Sequence, residues 1–206
     1  RGDARLSYAD RSIRTSTPAA RADRSILFVK QGPNPYVVVA DDIQKDETEH
    51  DYHWQWYTET QSVAGSGTFD EPFLIEGRDA RCGIAFLEPG APQHDFKVVT
   101  GGNPRRPIEL GLLRANRRGV RVRYLALGVA WRKDARQPVI RRGPEVKGAP
   151  GAASIIVEGE DFTDLIAWQP EETFDEYGKE ISAGKLRTSA LMAMVRTDQS
   201  GKVVGY

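Results

Sequence analysis

The residues best equipped for chemistry crowd into one run, His50-Asp51-Tyr52-His53-Trp54-Gln55-Trp56-Tyr57-Thr58. The spacing predicts a strand over His53 to Thr58. On a strand Tyr52, Trp54 and Trp56 share one face, while His53, Gln55 and Tyr57 share the other. A flat aromatic ring stacks on the C–H groups of a pyranose, and imidazole, amide and phenol hydrogen-bond its hydroxyls. His53, Gln55 and Tyr57 are therefore candidate carbohydrate-binding residues, or contacts to a neighbouring domain. Trp54 and Trp56 suit the core between two sheets, where large rings anchor packing.

A second feature is charge. Between Gly101 and Lys147 the chain carries 13 Lys and Arg residues, opposed by Glu109, Asp134 and Glu145 alone. Acidic stretches over Asp41 to Asp51 and Glu158 to Glu180 bring the formal net charge to zero. Zero net charge argues against general nucleic-acid binding. A basic face on a neutral protein can still attract an acidic polysaccharide, which adds Arg121 and Arg123 to the carbohydrate-binding candidates. Charged outward strand positions kept for solubility are the commoner reading of such a stretch.

Other chemistries lack their residues. Cys82 is the single cysteine, so there is no internal disulfide and no cysteine-based zinc site. It lies in the apolar run Cys82 to Leu87 and reads as a buried structural thiol. His50 and His53 are three apart and point to opposite faces of a strand, and His94 falls in a Pro-bounded loop. Asp41, Asp42, Glu47, Glu49 and Asp51 read as a solvated acidic connection without the ligand spacing of a calcium loop. No metal and no cofactor is expected. There is no Gly-x-Ser-x-Gly elbow, and Gly65-Ser66-Gly67 reads as a flexible turn with no phosphate-cradling helix after it.

The elements that must position these residues are strands. Ser25 to Lys30 and Tyr36 to Ala40 form an expected antiparallel pair across the Gly- and Pro-containing stretch 31–35. Short strands are expected over Pro72 to Ile75, Cys82 to Leu87 and Phe96 to Thr100, then a long one over Gly119 to Trp131. In that strand Val120, Val122, Tyr124 and Ala126 oppose Arg121, Arg123, Leu125, Leu127 and Val129, so it runs from an edge into a covered region. Ser154 to Val157, Asp164 to Trp168, Lys185 to Arg196 and Lys202 to Tyr206 follow, with a hairpin turn at Asp198 to Gly201. Gln137 to Gly151 reads as a mobile connection or short edge strands. The pattern supports an all-β fold, a multi-stranded antiparallel β-sandwich with few or no helices. The expected boundaries are an irregular segment over 1–23, with one strand around Leu6 to Tyr8, and a sandwich domain over 24–206. The chain opens on Arg1-Gly2-Asp3 without Met and stops within a strand-like run at Tyr206, as a piece of a longer protein would. No apolar run is long enough to span a bilayer, and no leader peptide is visible.

Three segments together resemble the C-terminal part of heparinase II/III-like polysaccharide lyases: Arg24 to Val29, Tyr36 to Asp42, and His50 to Thr58. That family has an Arg-led strand with a Phe-Val pair, a Tyr-Val-Val strand ending in Asp, and a His-x-Tyr-x-Trp strand. Tyr57 stands where the family commonly has a second His, and Ala193 to Lys202 is similar to its penultimate hairpin. The resemblance implies an α/α toroid followed by an antiparallel β-sandwich, with β-elimination at uronic acid residues in the cleft between them. Its catalytic motifs have no counterpart in this chain, so no catalytic residue is assigned. What it implies is a β-sandwich that is structural and substrate-adjacent, inactive alone, and secreted or periplasmic. Its partners would be an acidic polysaccharide and the toroid domain of the same parent, not nucleic acid or membrane. A free-standing carbohydrate-binding module, or an extracellular interaction module, is the alternative.

Overall fold

The computed structural model describes residues 2–3, 19–30, 32–103, 106–170 and 179–205. Strands and turns account for them, with no helix among the described residues. The fold is all-β and antiparallel. One sandwich domain over 24–206 is the sequence expectation; the chain divides into two compact units, Arg1–Phe28 with Tyr36–Lys133, and Val29–Pro35 with Asp134–Tyr206. The strand expected near Leu6 lies outside the described residues. Arg21 to Asp23, placed in the irregular N-terminal segment, open a strand.

The first unit is built from β1 (Gly2–Asp3), β2 (Arg21–Val29), β3 (Tyr36–Gln44), β4 (His50–Thr58), β5 (Phe73–Glu76), β6 (Ala80–Glu88), β7 (Gln93–Asn103), β8 (Arg106–Gly119) and β9 (Arg121–Arg132). One sheet has the order β1-β2-β3-β9-β6-β5, the other β4-β8-β7. Trp54, Leu113 and Ala115 from the smaller sheet pack with Phe73, Ile75, Ile84, Phe86, Val122, Tyr124 and Ala126 from the larger. Trp54 meets Phe86 edge-on at 5.0 Å, and stacks beside Trp56 at 5.8 Å. The Tyr124 hydroxyl donates to the carbonyls of Tyr52 (2.9 Å) and Ala115 (3.2 Å), so one buried phenol ties the two sheets together. Burial pushes that phenol up to about 12.

Several elements differ from expectation, each for a local reason. β3 continues through Gln44, so Asp41 and Asp42 are buried strand residues and not part of a solvated loop. The register sets Asp42 opposite Arg123 and Gln44 opposite Arg121. Arg121 Nε donates to Asp42 at 2.7 Å, Arg21 reaches it at 3.3 Å, and Arg123 Nε lies 3.4 Å away. Arg24 forks the neighbouring Asp41 at 2.6 and 2.8 Å. Carboxylates in strand interiors persist where such partners replace water. Even so, Asp41 titrates above its ordinary range, because burial outweighs its arginine.

β8, 14 residues long, has no counterpart among the expected strands. Pro107 and four arginines over 106–118 hide its alternation. It forms because β4 and β7 pair with it on both sides, placing Leu113 and Ala115 in the core. His94 lies in β7 and not in a loop. Gly65 to Gly67 is not a loose turn. Ser66 and Gly67 donate to the Glu71 carbonyl at 3.1 and 2.9 Å, and Gly67 accepts from Phe86 N–H at 2.8 Å. At φ +79° Gly67 lies against Phe73, where a Cβ would collide with the ring. The long strand β9 behaves as expected: Arg121 to Tyr124 pair with β3, and from Leu125 to Val129 both β3 and β6 flank it.

The second unit holds β10 (Val139–Arg142), β11 (Val146–Lys147), β12 (Ala153–Glu158), β13 (Phe162–Trp168), β14 (Ile181–Ala183), β15 (Leu186–Thr188), β16 (Met192–Asp198) and β17 (Val203–Gly205). Its sheets have the orders β10-β12-β13-β16-β17 and β11-β14-β15. The strand expected over Lys185 to Arg196 is broken at Ser189 to Leu191. Buried Gln169 explains the break, because its amide donates to the carbonyls of Lys179 (2.7 Å) and Ala190 (3.1 Å), drawing the chain out of line. Asp198 Oδ1 accepts from Ser200 N–H (2.9 Å) and Lys202 N–H (3.0 Å), which closes the expected hairpin.

Candidate functional site

The smaller sheet of the first unit presents its outer face through three aligned strands. Residues opposite one another share a face. His53 pairs with Asn116, which pairs with Gln93; Gln55 with Arg114, which pairs with Asp95; Tyr57 with Leu112, which pairs with Lys97. Strand pleating alone turns Trp54 inward and its neighbours outward. Trp54 is 5% exposed and Tyr57 56%, so the two faces of β4 are cleanly divided. Tyr57 is one of the most exposed large hydrophobic side chains among the described residues.

A hydrogen-bonded row crosses this face. Arg114 Nε donates to both oxygens of Asp95 at 2.8 and 3.1 Å. Asn116 Nδ2 donates to Asp95 Oδ2 at 3.0 Å, and Asn116 Oδ1 meets His53 Nδ1 at 2.6 Å. The Arg114 guanidinium, helped by Asn116, holds the Asp95 carboxyl below the usual carboxylate range. An exposed ring, an imidazole, an amide and an arginine thus stand on successive rungs of one sheet. Such a surface can stack on a sugar ring and exchange hydrogen bonds with hydroxyls and acidic groups.

The five sequence candidates do not form one site. His53, Gln55 and Tyr57 come together on β4, whereas Arg121 and Arg123 belong to β9 in the other sheet and are engaged by Asp42. The basic stretch is similarly distributed among acidic partners: Arg114 with Asp95, Arg118 with Glu49, Lys133 with Glu76 and Arg141 with Glu158. Asp95, Arg114 and Asn116 were not among the candidates. Their signal is register, since β7 and β8 had to be aligned with β4 before these side chains could be placed beside His53.

The acidic turn before β4 is built around its own backbone. Asp46 Oδ1 accepts from Thr48 N–H (2.7 Å) and Oγ1 (2.6 Å) and lies 2.9 Å from His50 Nε2, contacts that hold its carboxyl far below the ordinary range. Among the described residues no three His, Cys, Asp or Glu side chains converge as metal ligands would. Burial pushes the Cys82 thiol up to about 11. No helix of the described residues is long and apolar enough to cross a membrane. Comparison with family models, curated proteins and solved structures finds no match to this chain.

Proposed function

We propose that this chain is the β-sandwich portion of a heparinase II/III-like polysaccharide lyase, acting beside the substrate of a secreted or periplasmic enzyme, with its outer β4-β8-β7 face contacting the acidic polysaccharide. The observation that carries the reading is the alternation of β4. Its tryptophans are spent on the core, while Tyr57, Gln55 and His53 stand outward in register with Arg114 and Asn116. Rings with polar tips next to a cation suit a chain of hydroxyls and carboxylates. The catalytic work, proton abstraction at C5 and protonation of the leaving oxygen, is assigned to a toroid domain of the parent protein.

The test is titration of the chain with alginate and heparan sulfate oligosaccharides, followed by NMR. Binding that perturbs β4 and falls about fivefold or more in Tyr57→Ala supports the proposal. Absence of binding to either glycan refutes a role for this face. The chain alone is expected to form no unsaturated uronate product, and ultraviolet absorbance of such a product would refute its non-catalytic assignment.

A further inference from the structure

Asn116 stands between a carboxylate and an imidazole, and one orientation of its amide suits both. Asp95, paired with Arg114, accepts from Asn116 Nδ2 at 3.0 Å. Turning the amide over would set Oδ1 against a carboxylate, acceptor against acceptor. Oδ1 therefore faces His53 Nδ1 at 2.6 Å, and an oxygen that carries no proton requires the ring nitrogen to donate. In a neutral imidazole that leaves Nε2 as the acceptor. Free histidine in water favours the opposite tautomer, so the Asp95–Asn116 pair must impose this one.

We infer that Asp95 and Asn116 lock His53 as its Nδ1–H tautomer, so that this face offers Nε2 as a hydrogen-bond acceptor to a ligand hydroxyl. His53 thereby sets specificity. Its lone pair welcomes a sugar hydroxyl and repels a sulfate or carboxylate oxygen, so the acidic group of a uronate lies towards the rows of Arg114 and Lys97. The ligand half of the inference rests on the carbohydrate proposal above; the tautomer does not.

Long-range proton–nitrogen correlation on the full chain labelled with 15N-histidine reads the tautomer directly. His53→Gln identifies the resonances among the three histidines. At about pH 8, above the ordinary imidazole range, Nδ1 is expected to carry the proton and Nε2 to be pyridine-like. Asn116→Ala and Asp95→Asn should each return the ring towards Nε2–H. A native Nε2–H tautomer, or one unmoved by both substitutions, overturns the lock. In a second arm an alginate tetrasaccharide is expected to shift His53 Nε2 and to bind about fivefold more weakly to Asn116→Ala. If alginate perturbs the Tyr57 ring but not Nε2, the ligand half of the inference fails while the carbohydrate proposal stands. If it moves neither, the carbohydrate proposal fails and takes the ligand half with it.

Discussion

Replacing Asp42 with Ala should damage the first unit more than any exposed substitution on the candidate face. The Asp42 side chain is 5% exposed and is shared by three guanidinium groups. Arg21 keeps Asp23 at 3.0 Å, and Arg121 is one-third exposed and can regain water. Arg123 is worse placed, since its buried Nε has no hydrogen-bond partner and 3.4 Å separates it from Asp42. Removing one partner of a buried pair costs about 3–5 kcal/mol, and the partial rescue of Arg21 and Arg121 puts this case near the lower end, at about 3 kcal/mol. For a unit of this size that corresponds to a fall in Tm of about 10 °C. Urea unfolding followed by tryptophan fluorescence measures it. A Trp168→Phe background removes the one tryptophan of the second unit, leaving Trp54, Trp56 and Trp131 to report on the first. A loss below about 1 kcal/mol would refute the reasoning, because it would mean that the arginines rehydrate freely and that the cluster contributes no more than a surface pair.

Gly67→Ala should cost about 2–4 kcal/mol in the same assay, since it combines a positive φ with a Cβ driven into the Phe73 ring; a neutral outcome would show that the 65–67 turn moves aside. Cys82, with its thiol raised to about 11, should react slowly with a disulfide reagent until the chain is unfolded. Because the unfolded thiol ionises more readily, this group's stabilising contribution is complete below the unfolded value and fades as pH rises from about 9 towards 11. Rapid labelling of native protein at neutral pH would contradict this. Asp95 has a depressed folded value, so its contribution is present above the ordinary carboxylate range and is lost as pH falls through the depressed one. Carbon-detected titration should place Asp95 below a typical aspartate, and Arg114→Ala should raise it.

Strand identity was largely legible from residue order. The β-branched run of β3, the alternation of β4 and β9, and the Asp198 to Gly201 turn all express local preferences that survive folding. So did the sorting of β4, because a period of two decides which side chains share a face once one face is buried. β8 was not legible, since its pattern is diluted by arginines and its stability comes from two neighbouring strands. The burial of Asp41 and Asp42 was equally hidden. A carboxylate looks like a loop residue until Arg21, Arg24, Arg121 and Arg123, brought from two other strands, surround it. The candidate face divides in the same way. Local order turned His53, Gln55 and Tyr57 outward, but only the register of β7 and β8 placed Asp95, Arg114 and Asn116 beside them. Hydrogen-bond direction across that face depends on partners 63 and 21 residues apart in the chain, a separation at which sequence pattern carries no information.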